Sequence, residues 1–336
     1  MLTDPKFFKK ENNNQNAAEF KRCLPVNVNT SFTTLAPAIA TAEQNHVRPL
    51  LGDTLFDSLA DYYAANGIEG DSTVTNELVS YIQMAVVRLA YWESFDQLAV
   101  MMSDRGLQVT NGENRAYRYQ EDRLKKSLQR QGFGYLNTAI GYIMEHIDTF
   151  GSFTESDYYS ERQNSVIRSL KEMEGVTSVG NDFCLFAKLR QFISETEEME
   201  LPYRVGNSLA DLLRNDRTDA RLERLLRSAQ GFVAHWTLAE AMPALGIIMS
   251  PNGPVVVSDQ GNGGNGGESS NPASAEQIGI LQKRHREMAE RYIGQLVTYC
   301  KQHVDIYPEI AEIGLSTDHE KTAGHRNNRG KKTFLA

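Results

Sequence analysis

The sequence predicts an all-α fold: two tandem helical-bundle repeats with short β-strands or hairpins and flexible terminal arms. Three observations carry that expectation. The 336-residue chain is longer than one ordinary core needs. Four blocks of it recur in the same order. Most of those blocks fall in segments whose apolar residues repeat at helical spacing.

The recurrence is specific. At an offset of 154, Phe32 through Leu59 aligns without gaps onto Phe186 through Leu213. The identities are Phe32/Phe186, Leu35/Leu189, Ile39/Ile193, Glu43/Glu197, Gly52/Gly206, Leu55/Leu209, Asp57/Asp211 and Leu59/Leu213. At 144 the two tryptophans, Trp92 and Trp236, match. At 147, Met102-Ser-Asp-Arg-Gly106-Leu-Gln-Val109 matches Met249-Ser-Pro-Asn-Gly253-Pro-Val-Val256. At 157, Tyr135, Tyr142, His146 and Asp148 match Tyr292, Tyr299, His303 and Asp305. The resulting division is an N-terminal arm (1–19), a first repeat (20–152), a linker (153–175), a second repeat (176–310) and a C-terminal tail (311–336).

Each repeat has the same order of helices. The first helix covers about 32–48 and stops near Gly52, because glycine adopts the left-handed conformation that ends a helix. A short helix, Thr54 to Tyr63, precedes a turn at Asn66-Gly67. Ser72 or Thr73 caps a long helix with Leu78, Ile82, Val86 and Leu89 on one face, continuing through Phe95 to Met102. Gly106 breaks it, and Leu107 to Val109 reads as a short extended piece. Asn114 then caps a last helix carrying Leu124, Leu128, Leu136, Ile140, Ile143 and Ile147, which Gly132 and Gly134 would bend. In the second repeat Leu222, Leu225, Ala229, Phe232, Val233 and Trp236 form the matching stripe, and Ser274 to Gln277 reads as a capping box. Between strand and helix there, Ser258 to Ala273 is rich in glycine and asparagine, the composition of a flexible loop.

Composition narrows the function. With 35 Lys and Arg against 43 Asp and Glu the formal net charge is −8, whereas a chain that wraps DNA needs a dense basic face. Cys23, Cys184 and Cys300 are scattered with no C-x-x-C pair, which excludes a disulfide framework or a thiolate zinc site. The opening MLTDPKFFKKENNNQN has no apolar run of the kind a secretory signal needs. Phe232 to Met249 is the most apolar stretch, but His235, Glu240 and Pro243 make it a buried helix rather than a membrane span.

No motif reaches a catalytic constellation. Gly261 to Gly266 satisfies G-x-G-x-x-G, yet Glu268 to Pro272 separates it from the following helix, so it reads as loop. His319 and His325 are six apart, not the four that a helical zinc motif needs. The recurring His146 and His303, beside Asp148 and Asp305, suit a helix C-terminus, where an imidazole meets the last carbonyls. Glu195 to Glu200 reads as a solvated acidic face. The expectation is therefore no enzyme, no catalytic residues, no cofactor and no metal.

The entry segment resembles a known group. Leu24-Pro-Val-Asn-Val-Asn, Phe32, Leu35-Ala-Pro and then Ala42-Glu with Val47-x-Pro49-Leu-Leu-Gly52-Asp-x-Leu55-Phe are similar to phage and prophage head-tail connector proteins, of the adaptor or head-completion kind. The long helix running into Met102 to Val109 is similar to the same group. The likeness is strongest over 20–150, and the duplication and glycine-rich insertion depart from single-repeat connectors. The resemblance implies a structural virion protein, made in the bacterial host cytoplasm and placed at the head-tail junction. It implies a ring of about twelve copies under the portal, touching portal and tail or neck proteins, with packaged DNA passing through and no membrane.

The tail from about Gly314 holds five basic residues against two acidic ones, opposite to the whole chain. Its end, Lys331, Lys332, Phe334 and Leu335, is a candidate partner-binding segment, with lysines for an acidic surface and Phe334 as anchor. The alternative is a helical nucleic-acid-binding or regulatory protein. It would use that tail with Arg115, Arg118, Arg123, Lys125, Lys126 and Arg130, a stretch that also holds Glu113, Glu121 and Asp122.

Overall fold

A computed structural model of the chain describes residues 2, 23–24, 32–67, 70–95, 100–103, 106–109, 118–245, 247–250, 253–256 and 275–312. It is mostly helical and divides into two compact units. The first comprises Met1–Gln163, Val179–Lys188 and Pro251–Pro272; the second comprises Asn164–Ser178, Leu189–Ser250 and Ala273–Ala336.

In the first unit, α1 (Phe32–Ala42) runs without a break into a π-helical turn (Glu43–Val47) and then α2 (Arg48–Leu51). The Arg48 N–H closes the wide turn on the Glu43 carbonyl. Gly52 then stops the helix at φ 77°, where a Cβ would also meet that of Ser156 at 2.9 Å. α3 (Asp53–Asn66) follows, and α4 (Thr73–Glu93) starts at Ser72, whose side chain accepts from the Thr75 N–H. The long helix therefore ends at Glu93 rather than Met102, with Ser94 Oγ donating to the Ala90 carbonyl. Strands β1 (Val100–Ser103) and β2 (Gly106–Val109) pair antiparallel, Val100 opposite Val109. α5 (Arg118–Glu145), a 3-10 turn (Gly151–Glu155) and α6 (Asp157–Gln163) complete the unit.

The second unit repeats the order. After α7 (Leu170–Glu174) comes α8 (Phe183–Glu195), whose residues from Leu189 belong to this unit. A second π-helical turn (Thr196–Glu200) leads to α9 (Leu201–Val205) and a stop at Gly206, φ 85°. α10 (Asn207–Asn215) and the long α11 (Ala220–Leu245) follow. Strands β3 (Ile247–Ser250) and β4 (Gly253–Val256), of which β4 is counted with the first unit, then α12 (Ala275–Gln302) and a 3-10 turn (Pro308–Glu312) close the series.

Each unit carries a row of buried residues spaced strictly by four. Leu35, Ile39, Glu43, Val47 and Leu51 form one; Leu189, Ile193, Glu197, Leu201 and Val205 form the other. An ordinary α-helix of 3.6 residues per turn would rotate such a row by about 40° at each step. The π turn in the middle is wound more widely and slows that drift, so all five members face the core. A carboxylate is the central member both times.

The main helix pairs are α4 with α5 and α11 with α12. Glycine allows each close approach, from opposite sides. A Cβ at Gly132 of α5 would lie 2.7 Å from Leu89, and one at Gly231 of α11 would lie 2.4 Å from the Tyr292 ring. α5 runs uninterrupted through Gly132 and Gly134, the glycines expected to bend it. Leu124, expected on the core stripe, is 50% exposed.

Three further expectations change. Residues 153–175, expected as a linker, contribute to the cores: Phe153, Val166, Ile167 and Met173 are fully buried, and Leu170 nearly so. Helix starts at Thr73 and Ala220 set the long helices at an offset of 147, which places Trp92 opposite Ala239 and leaves Trp236 one turn away. Leu2, within the expected loose arm, is fully buried. Asn114, Ser274, the glycine-rich loop, the rest of the arm and the tail from 313 lie outside the described residues.

Candidate functional site

The π turns place two buried carboxylates where main chain can reach them. In the first unit Glu43 is 5% exposed, and its Oε1 accepts the Leu2 N–H at 2.8 Å. Gln83, fully buried on α4, donates through Nε2 to the Leu2 carbonyl at 2.9 Å. One residue is thus held by both of its main-chain polar groups while its leucine side chain fills the core. A buried N–H and C=O need partners, and the clamp supplies both.

The second unit repeats the device on an internal segment. Glu197 Oε1 accepts from Ser165 Oγ at 2.9 Å, from the Val166 N–H at 2.9 Å and from the Ile167 N–H at 3.2 Å. Gln230 on α11 donates to the Val166 carbonyl at 3.2 Å. Val166, like Leu2, is fully buried. Three arginines reinforce the segment: Arg217 donates to the Val166 carbonyl at 2.6 Å, Arg190 to the Ile167 carbonyl at 3.1 Å and Arg168 to the Ser165 carbonyl at 3.3 Å.

Burial dominates both carboxylates. It raises the Glu43 carboxyl above its ordinary range, against the pull of the Leu2 N–H. It pushes Glu197 up to about 7, although Ser165, the two N–H donors and nearby Arg190 all favour the charged form.

Comparison with known proteins repeats the duplication. A family profile, described as a family of unknown function (DUF6712), matches residues 47–163 and again residues 194–318. The chain belongs to DUF6712. No curated protein and no solved structure matches it. Both clamp glutamines lie within the DUF6712 matches, as does Glu197, whereas Glu43 precedes the first.

Other residues singled out from sequence fall at separate places in this DUF6712 chain. His146 and His303 follow the last helical turns of α5 and α12, their carbonyls taking the Phe150 and Tyr307 N–H groups. Their rings sit 4.5 and 4.4 Å from Tyr142 and Tyr299. The position at a helix end is the expected one, but the rings contact tyrosines rather than the last carbonyls, and among the described residues His303 Nδ1 is buried without a hydrogen-bond partner. Arg123, Lys126 and Arg130 are exposed on α5, and Arg130 also donates to the Gly180 carbonyl. Burial pushes the Cys184 and Cys300 thiols up to about 11, which makes them poor nucleophiles. Among the described residues no group of three or more His, Cys, Asp or Glu is placed to hold a metal ion. No helix among them is long and apolar enough to cross a membrane. Lys331, Lys332, Phe334, Leu335 and the glycine-rich loop lie outside the described residues.

Two features escaped sequence reasoning. One is a buried pair on α11 and α12: His235 Nδ1 and His285 Nδ1 lie 2.9 Å apart, and His235 stacks on Tyr292. One nitrogen must donate and the other accept, so the two rings cannot both be charged, and burial disfavours the charged form of either, lowering His235 to about 4. The other is the clamp itself. Glu197 was read within a solvated face, yet it is 3% exposed. The signal was present: extending the offset of 147 upstream pairs Leu78/Leu225, Gln83/Gln230, Val86/Val233 and Glu93/Glu240.

Proposed function

We propose that this protein is a structural component of tailed-phage particles, a head-tail connector or adaptor that forms a ring below the portal. It acts by shape and contact rather than catalysis. The observation that carries the reading is the element run α1, π turn, α2, Gly52 and α3, on which the connector-like residues fall and which the second unit writes again. A unit written twice presents every assembly surface twice, so fewer chains close a ring of a given number of units. Net charge of −8 suits a channel through which DNA slides rather than sticks. In this reading Lys331 and Lys332 meet an acidic face of a portal or tail neighbour, and Phe334 and Leu335 anchor the contact.

Electron microscopy and native mass measurement of the purified chain, and of particles from its source, test this. A closed ring, or the chain at the head-tail junction of particles, is expected. A monomer at all concentrations that is absent from particles would overturn it. The nucleic-acid reading keeps one supporting observation, the exposed Arg123, Lys126 and Arg130 on α5. A salt-sensitive gel shift with duplex DNA would favour it.

A further inference from the structure

The two clamps grip their occupants differently. In the second unit the Val166 carbonyl takes two donors, Gln230 and Arg217, and Arg190 fastens the next carbonyl. That occupant is also continuous in sequence with α6 before it and α7 after it. In the first unit the Leu2 N–H has Glu43 and the Leu2 carbonyl has Gln83, with no arginine on either among the described residues. Residues 3–22 separate Leu2 from Cys23 along the chain.

We propose that the Glu43–Gln83 clamp is a peptide-binding socket for a segment with an aliphatic residue, whose occupant, the Leu2 segment, exchanges with a free copy of itself. The socket reads main chain at two points, an acceptor for N–H and a donor for C=O, groups that every residue but proline carries. Selectivity comes from the side-chain site, which buries leucine completely and would force a charged residue to lose its water. The second unit shows the same reading of Val166 from an unrelated local sequence, so the main-chain contacts are what the two have in common. The inference goes beyond the particle role and stands or falls without it.

The test uses the full chain carrying Leu2→Asp, which empties the socket, and a fluorescent peptide of sequence Met-Leu-Thr-Asp-Pro. Saturable binding by anisotropy is expected. A peptide with Asp in place of Leu should bind at least about tenfold more weakly, and Gln83→Met in the same chain should cost about tenfold, the loss of one hydrogen bond to a buried carbonyl. No binding, or binding indifferent to both changes, overturns the proposal. Should the Leu2→Asp chain fail to fold, hydrogen exchange at the Leu2 amide of the unaltered chain decides. Protection that weakens in Gln83→Met supports the socket, and exchange at the rate of an unprotected amide overturns it.

Discussion

Oε1 of Glu197 serves three donors while the rest of the carboxyl is enclosed, and burial outweighs those donors. The folded chain therefore prefers the neutral acid, with a pKa of about 7 against an ordinary 4.5, and folding takes up a proton. Stability from this group is fully present below pH 4.5 and is lost as pH rises through about 7, by on the order of a few kcal/mol. The Glu197→Gln variant has no such proton to lose. Its melting temperature should vary less between pH 5 and 8 than that of the parent, and equal slopes would contradict the assignment. His235 acts in the opposite direction. Its folded pKa, lowered from 6.5 to about 4, gives stability present above 6.5 and lost as pH falls toward 4.

At the scale of elements, the long helices approach closely where one of each pair lacks a side chain. Gly231→Ala puts a methyl group 2.4 Å from the Tyr292 ring, which itself stacks on His235, so the ring has little freedom to withdraw. A loss of about 2 kcal/mol is expected, the usual cost of overpacking. Gly134, on α5, has nothing within 4 Å of its would-be Cβ. Gly134→Ala should stabilise by about 0.5–1 kcal/mol, because alanine loses less backbone entropy in a helix. Chemical denaturation of the two variants would separate a packing glycine from a merely tolerated one. Sequence periodicity placed the helices well but could not tell these glycines apart, because close approach depends on what the partner helix presents. Gly132 and Gly134 look alike in the sequence, and only Gly132 faces Leu89.

Across the whole molecule, the duplication was legible and its central device was not. The shared Gly52 and Gly206 marked true helix stops, and the Glu43/Glu197 identity pointed at the clamps without showing what they hold. Leu2 and Val166 share no local motif, because the clamp contacts their main chain, which every sequence supplies. The tryptophan match misled for the reverse reason: two rare residues fell near one another along equivalent helices without filling one site. The copies have also diverged in a way that can be measured. Gln83→Leu leaves the Leu2 carbonyl buried without its donor, whereas Gln230→Leu leaves the Val166 carbonyl still bonded to Arg217. The first change should cost about 1–3 kcal/mol and the second under about 1 kcal/mol, read from melting transitions of the two full-length variants.

The widened turns also leave a trace that needs no coordinates to find. Five enclosed positions at a constant interval of four, acidic at the midpoint and followed at once by glycine, describe 35–52 and 189–206 equally. Ordinary helical phase cannot keep such a file on one side for so long, so the spacing itself announces the bulge. A distant chain bearing that spaced signature, with a glutamine further along, would be a candidate to grip a strand of peptide in the same manner, whatever its remaining residues.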